Sequence, residues 1–109
     1  MSKRVSAQYF LDKDNCVELY FWFVLGKNSL VVKEFVIILF LVVENKKFEV
    51  IKYDFSHREK LHVHKYYLNK KTKEFLNIII EPKTIVFLKE GILNNWGEYV
   101  LLFKQNNYI

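Results

Sequence analysis

Three histidines fall within eight residues of this chain, and they are its only histidines. His57, His62 and His64 follow closely after Asp54. Imidazole is the side chain whose charge ordinarily changes near neutral pH, so this segment concentrates groups that accept, donate or hold a proton. We therefore predict a site here, with these four residues as its catalytic groups. The predicted substrate-binding groups are Arg58, Lys60, Lys65, Tyr53 and Tyr66.

Metal-free cleavage of RNA is one chemistry that these residue types support. The reaction needs a base for the 2′-hydroxyl, an acid for the leaving 5′-oxygen and cations for the charge that develops around phosphorus. Two histidines meet the first two needs, and the nearby Arg and Lys side chains meet the third. Tyr66 or Tyr67 can stack on, or hydrogen-bond to, a nucleotide. This interpretation predicts an activity that uses no cofactor.

A metal site and a structural role are the alternatives. His57, His62, His64 and Asp54 together offer three nitrogen ligands and one oxygen ligand, a set that suits zinc or nickel. Histidines can also simply occupy the solvated polar face of a strand. The residue types alone leave the three interpretations open.

The spacing predicts how these side chains are arranged. Alternate residues of a strand share a face, so we expect His62, His64 and Tyr66 to project together. A short connection between the two strands would bring Asp54 or His57 within reach of this group. We therefore expect one exposed face that carries both His62 and His64.

Composition and charge limit the class of protein. The chain has 109 residues, of which 51% are hydrophobic and 17% aromatic, with three glycines and one proline. These proportions are typical of one compact domain, residues 1–109, that contains a sheet. Seventeen basic residues against twelve acidic ones give a net charge of +5, which favours a polyanionic partner. The single cysteine, Cys16, excludes an internal disulfide and fits a reducing compartment.

No segment has the pattern of a membrane span or of a secretory signal. The longest apolar run, residues 35–43, is about half of the roughly 20 residues that a spanning helix needs. Lys3 and Arg4 are not followed by an apolar stretch of the signal-peptide kind. We therefore predict a cytoplasmic protein with no membrane partner.

Runs of β-branched and aromatic residues predict that most of the chain forms strands. Residues 35–43 are apolar on both faces, which predicts a central strand. Polar residues at 12–15, 26–29, 44–47 and 69–72 predict the connections. In the strand after residue 47, Phe48, Val50, Lys52 and Asp54 are expected on one face. The predicted strands cover residues 5–11, 17–25, 30–43, 48–55, about 61–68, and 73–80.

The last quarter of the chain is predicted to be a helix. Apolar residues recur at steps of three or four from Ile85 to Phe103, which marks one helical face. Gly91 and Gly97 weaken such a helix, so we expect a kink or a break near one of them. Trp96 is expected against the sheet. The predicted fold class is α+β, an antiparallel meander of about four to six strands packed by a C-terminal helix.

The segment around the histidines resembles a known pattern. Residues 48–57, followed by His62-x-His64, are similar to the core of small TumE-type toxins, in which a strand leads to Tyr-Asp, a small residue, a His and then His-x-His. Uncharacterised archaeal and bacterial families with an Arg-Tyr-Asp, His and His core are also similar. In those families a helix with a Trp–Tyr pair follows, as Trp96 and Tyr99 do here. The resemblance covers about residues 48–67.

This resemblance implies a toxin of a toxin–antitoxin pair that acts on RNA and is neutralised by a small partner protein. Its motif positions are Tyr53, Asp54, His57, His62 and His64. The usual Arg before Tyr-Asp is Lys52 here, which loses bidentate phosphate binding, and the usual Gly after the first His is Arg58.

The sequence therefore predicts an RNA-directed, ribonuclease-like toxin component. A non-enzymatic module of the same fold, which binds nucleic acid or protein through a basic sheet surface, is the alternative. The partners left open are RNA, a small antitoxin protein and a second copy of the chain.

Overall fold

The computed structural model describes residues 3–14, 16–26, 31–69 and 73–108. Parts of the predicted connections, at residues 15, 27–29 and 70–72, lie outside this description, as does residue 30 of a predicted strand. Six strands, a short 3₁₀ helix at Tyr66–Leu68 and one long helix lie within it. They are β1 (Lys3–Asp12), β2 (Val17–Leu25), β3 (Val32–Val43), β4 (Lys46–Ser56), β5 (Glu59–His64), β6 (Lys73–Phe75) and α1 (Pro82–Asn107).

The described strands form one sheet in chain order, β1 to β6, and every neighbouring pair is antiparallel. This is the predicted α+β meander. Short connections favour it, since antiparallel neighbours can be joined by a two-residue turn. Between β3 and β4 that turn is Glu44 and Asn45, with φ of 50° and 66°. Positive φ at both positions matches the twist of the flanking strands. Because β4 begins at Lys46, the loop is two residues shorter than the predicted one at 44–47.

The core lies between one face of the sheet and α1. β3 is central, as predicted, and its residues Phe35, Ile37 and Leu39 are 0% exposed. On α1, Ile92 is 1% exposed and belongs to the same apolar cluster. Trp96 is only partly buried, at the margin of that cluster.

Helix α1 continues without a break through Gly91 and Gly97, so the predicted break does not occur. A Cβ atom built on either glycine meets nothing within 4 Å. Among the described residues, no helix is both long enough and apolar enough to cross a bilayer.

A β-bulge in β4 shows that one prediction is wrong, namely that Phe48 shares a face with Lys52 and Asp54. Leu39 pairs with Ile51 and Phe40 pairs with Glu49, so Val50 is the extra residue. An extra residue reverses the alternation that follows it. Phe48 therefore shares the α1 side with Ile51 and contacts Phe103, at 6.2 Å between ring centroids, instead of lying beside Lys52 and Asp54.

The strands around the histidines are shorter than predicted. β5 ends at His64, and Tyr66 lies in the 3₁₀ helix. The predicted strand at 73–80 contains only three strand residues, Lys73–Phe75. The position of Tyr66 beside His64 thus comes from a turn of the chain and not from strand alternation.

Candidate functional site

Two rows of side chains cross the sheet on the face opposite α1, which we call the open face. Residues paired across antiparallel strands share a face. The first row runs Ser6, Trp22, Val36, Asp54, His62 and Phe75. The second runs Gln8, Tyr20, Ile38, Lys52, His64 and Lys73. His62 and His64 are therefore neighbours on one face, as strand alternation predicts.

The rings of these two histidines contact each other. Their centroids lie 5.0 Å apart with planes at 86°, an edge-to-face arrangement. Asp54 lies beside them, with its Oδ2 atom 3.9 Å from Nε2 of His62. We call Asp54, Glu59, His62 and His64, with Lys52 and Lys73, the histidine cluster.

His62 is held in one orientation. Its Nδ1 atom lies 2.9 Å from the carbonyl oxygen of Lys60, and since a carbonyl only accepts, Nδ1 carries a proton and donates. Nε2 then points to two carboxylates, 3.7 Å from Glu59 and 3.9 Å from Asp54. These distances exceed a direct hydrogen bond. His62 is 2% exposed, so the prediction that both histidines are exposed is wrong for this one.

His64 is the more accessible ring of the pair. It stacks on Tyr66, with centroids 5.3 Å apart and planes 3° from parallel. Burial lowers its pKa from the usual 6.5, and electrostatic interaction with His62, Lys52 and Lys73 lowers it further, while Asp54 opposes them. His64 is therefore mainly neutral at pH 7 and able to accept a proton. Its Nδ1 atom is buried and has no hydrogen-bond partner among the described residues.

Lysines and carboxylates surround the two rings. Lys73 pairs with Glu59, and this hydrogen bond is the main reason that the pKa of Glu59 is lowered. Lys52 lies 4.0 Å from Asp54. Phe75, 58% exposed, lies 5.7 Å from the His62 ring. These side chains cover His62, which explains its burial on a face that none of the described helices covers.

His57 does not join the cluster in this arrangement. It occupies the turn between β4 and β5, and its Nδ1 atom lies 3.0 Å from Oε1 of Glu34 on β3. Its side chain is 71% exposed. The described residues contain no group of three or more His, Cys, Asp or Glu side chains placed to hold a metal ion. The set of His57, His62 and His64 is therefore not assembled as a ligand set.

The predicted substrate-binding residues are divided between several places. Tyr66 lies beside His64, and burial with the charges of Glu49 and Asp54 raises its pKa. Arg58 and Lys60 are exposed at the end of the β4–β5 hairpin. Lys65 pairs with Glu74 at 3.1 Å.

Tyr53 lies on the α1 side of the sheet, opposite Val63. Burial, with Tyr99 and Tyr67 nearby, raises its pKa to about 12. It is thus on the other face of β4 from Asp54.

Sequence reasoning did not identify Glu59, Lys73 and Phe75 as members of the site. The signal was present in β6, because an antiparallel hairpin between β5 and β6 places Phe75 opposite His62 and Lys73 opposite His64. Glu59 gave no such signal, since it reaches Nε2 of His62 only through a register shift near the end of the hairpin.

Comparison with known proteins gave no matching family model, no matching curated protein and no matching solved structure. The resemblance to TumE-type toxins therefore stays a prediction.

Proposed function

We propose that the protein is an RNA-directed, ribonuclease-like enzyme that works without a metal ion and serves as the toxin of a toxin–antitoxin pair. The observation that carries this proposal is the contact between His62 and His64, at 5.0 Å, on a face that also holds Lys52 and Lys73. The role as a toxin is supported by the resemblance of residues 48–67 alone.

His64 is the proposed general base. A lowered pKa keeps its ring neutral at pH 7, and a base must be neutral to take the proton of a 2′-hydroxyl. The 2′-oxygen then attacks phosphorus, the bond from phosphorus to the 5′-oxygen breaks, and the imidazolium returns its proton to the departing oxygen. The ring thus gives up the proton that it took, and the step needs no second acid. Lys52 and Lys73 supply positive charge for the phosphorane.

His62 is a positioning residue in this proposal, because a side chain 2% exposed does not reach a substrate. The hydrogen bond from Nδ1 to Lys60 holds its ring against His64. Asp54, whose side chain is 31% exposed, and Glu59 lie on the opposite side of that ring, 3.9 Å and 3.7 Å from Nε2.

Cleavage of single-stranded RNA by the purified protein tests the proposal. His64→Ala is expected to lower the rate about 10² to 10⁴-fold, the usual cost of losing a general acid or base. His57→Ala is the matched control, since that ring is exposed and bound to Glu34 outside the cluster. Equal rates in the two variants, or no cleavage by the parent protein, would contradict the enzyme proposal.

Cell growth tests the biological role separately. Expression of the parent protein is expected to slow growth, and His64→Ala is expected to relieve that effect while His57→Ala does not. A parent protein that cleaves RNA without slowing growth would be an enzyme but not a toxin.

A non-enzymatic binding module is the second proposed function, and the rest of the open face favours it. The guanidinium of Arg4 lies 4.6 Å from the centre of the Trp22 ring, and Nζ of Lys47 lies 5.3 Å from that of Phe40. Tyr20 contacts Phe40 at 6.5 Å. Aromatic rings with nearby cations hold single-stranded nucleic acid without cleaving it. Salt-dependent binding of RNA without cleavage would favour this function over the enzyme.

A further inference from the structure

The two edges of the sheet differ in how well they are protected. β6 has only three residues, two of them charged. β1 has ten residues, and among the described elements it contacts β2 alone. Its middle residues, 5–10, contain no charge, no proline and no glycine. A long edge of this kind presents unpaired N–H and C=O groups to which another strand can add.

The exposed side chains of β1 point to the same conclusion. Tyr9 is 40% exposed and Phe10 is 50% exposed. Neighbouring residues of a strand lie on opposite faces, so an aromatic ring is exposed on each face of this edge. A strand paired alongside would cover both rings.

We propose that β1 pairs in antiparallel fashion with β1 of a second copy of this chain, so that two six-stranded sheets become one. This interface is independent of the proposed function, because β1 and the histidine cluster lie at opposite edges of the sheet.

Symmetry limits the possible registers. Residues opposite each other in an antiparallel pair share a face, and a two-fold axis between the two copies leaves each residue on the same face in both. Each pair must therefore join two odd-numbered or two even-numbered residues. At the axis, one residue then lies opposite its own copy. β1 is regular up to Phe10, where a register shift makes Leu11 the extra residue, so the axis should fall near the middle of the regular part.

An axis at Ala7 gives the best-matched pairs. It places Val5 opposite Tyr9 and Arg4 opposite Phe10, which joins an apolar pair on one face and a cation–aromatic pair on the other. The small side chain of Ala7 lies at the axis. An axis at Gln8 would place the bulged Leu11 opposite Val5, inside the paired region, whereas the axis at Ala7 places it opposite Lys3 at the end of the strand. An axis at Ser6 would leave Phe10 opposite no residue of β1.

The charged residues of β1 favour an antiparallel orientation of the second copy. Arg4 lies near the start of β1, while Asp12 is its last residue. Antiparallel pairing brings the basic end of each strand beside the acidic end of the other. A parallel pair would instead place Arg4 beside its own copy.

Cross-linking tests the interface and its register. In a Cys16→Ser background, Ala7→Cys is expected to form a covalent dimer on mild oxidation, because directly opposite Cα atoms lie about 4.5 to 5.5 Å apart, within disulfide range. Ser6→Cys and Gln8→Cys are matched controls whose copies are diagonal, so little cross-linking is expected. Preferential cross-linking through Ser6→Cys or Gln8→Cys would overturn the proposed register.

Light scattering tests the dimer itself. The parent protein is expected at twice the 13.2 kDa of one chain. Ser6→Lys introduces a charge at an exposed position that would face Gln8 of the other copy, so this variant is expected to be a monomer with an unchanged circular-dichroism spectrum. A monomeric parent at every concentration, or a folded Ser6→Lys variant that remains a dimer, would overturn the proposal.

Discussion

The ring of His64 lies in surroundings that favour its neutral form. Burial, with His62 and two lysines nearby, lowers its pKa below 6.5, so folding favours the neutral ring. His57 lies 3.0 Å from a carboxylate and is mostly exposed. Two histidines seven residues apart in the sequence thus have different surroundings, and of the two only His64 belongs to the histidine cluster.

A pH titration tests the state of the His64 ring. The ring signals of His64 in an NMR spectrum are expected to titrate with a midpoint below 6.5. Because charging the ring costs the folded state, the free energy of unfolding should fall as pH decreases from 6.5 through the folded-state pKa. His64→Gln should remove that part of the pH dependence, and His57→Gln should leave it. A His64 midpoint at or above 6.5 would contradict the prediction.

Strand alternation was sufficient to predict that His62, His64 and Asp54 come together. His62 and His64 share a face and Asp54 lies beside His62, because both strands are regular at these positions. The burial of His62 could not be predicted, since it depends on Phe75 and Lys73 from a third strand. His57 was expected near the pair, but its turn directs the ring to Glu34 on β3.

Among the elements, α1 shows where local sequence preferences were overcome by packing. Two glycines within 26 residues predict a break, and the helix continues through both. The apolar face from Ile85 to Phe103 packs on the sheet along its length, and that burial exceeds the cost of about 1 kcal/mol for each glycine.

Replacing the glycines should therefore stabilise the protein. Gly97→Ala is expected to raise the free energy of unfolding by up to about 1 kcal/mol, because its Cβ atom would enter open space. Gly26→Ala is the control, since its Cβ atom would lie 3.3 Å from Cβ of Val31, and no gain is expected there. Urea denaturation measures both variants. Destabilisation by Gly97→Ala would contradict the open space around this position.

Trp96 and Ile92 test how α1 is docked. Complete burial of a Trp predicts a loss of about 3 to 5 kcal/mol for its replacement by Ala. Trp96 is only partly buried, so Trp96→Ala should fall below that range. Ile92 is 1% exposed, and Ile92→Ala should cost about 2 to 5 kcal/mol. Denaturant melts of both variants that match the parent would contradict the packing of α1 on the sheet.

The strand order could be predicted because the apolar runs are separated by short polar connections. The bulge was not predicted because Val50 and Ile51 are adjacent apolar residues, and strict alternation from Phe48 assigns the core position to Val50 instead of Ile51. β6 was predicted too long for a related reason. Residues 76–80 are mostly apolar, but only Lys73–Phe75 pair with β5.

At the scale of the whole molecule, basic residues outnumber acidic ones and give a net charge of +5. Carboxylates nonetheless lie beside several of the basic side chains. On the open face, Lys47 pairs with Glu18 at 2.9 Å, Lys52 lies 4.0 Å from Asp54, and Lys73 pairs with Glu59. A polyanion bound there must therefore compete with carboxylates of the protein. The proposed nuclease and the proposed binding module both require that phosphate groups of RNA displace these carboxylates from the lysines.

The salt dependence of RNA binding tests that requirement. With a single-stranded RNA that lacks 2′-hydroxyls at the cleavage position, the logarithm of affinity should fall linearly with that of salt, with a slope of about −0.7 for each phosphate contact. Lys52→Gln and Lys73→Gln should each make the slope less steep by about one such contact. Lys83→Gln is the control, because Lys83 lies in the first turn of α1 with its side chain 83% exposed and pairs with Glu81. A slope that changes equally in all three variants would mean that RNA binds through overall charge, and a slope of zero would mean that the open face does not recognise phosphate.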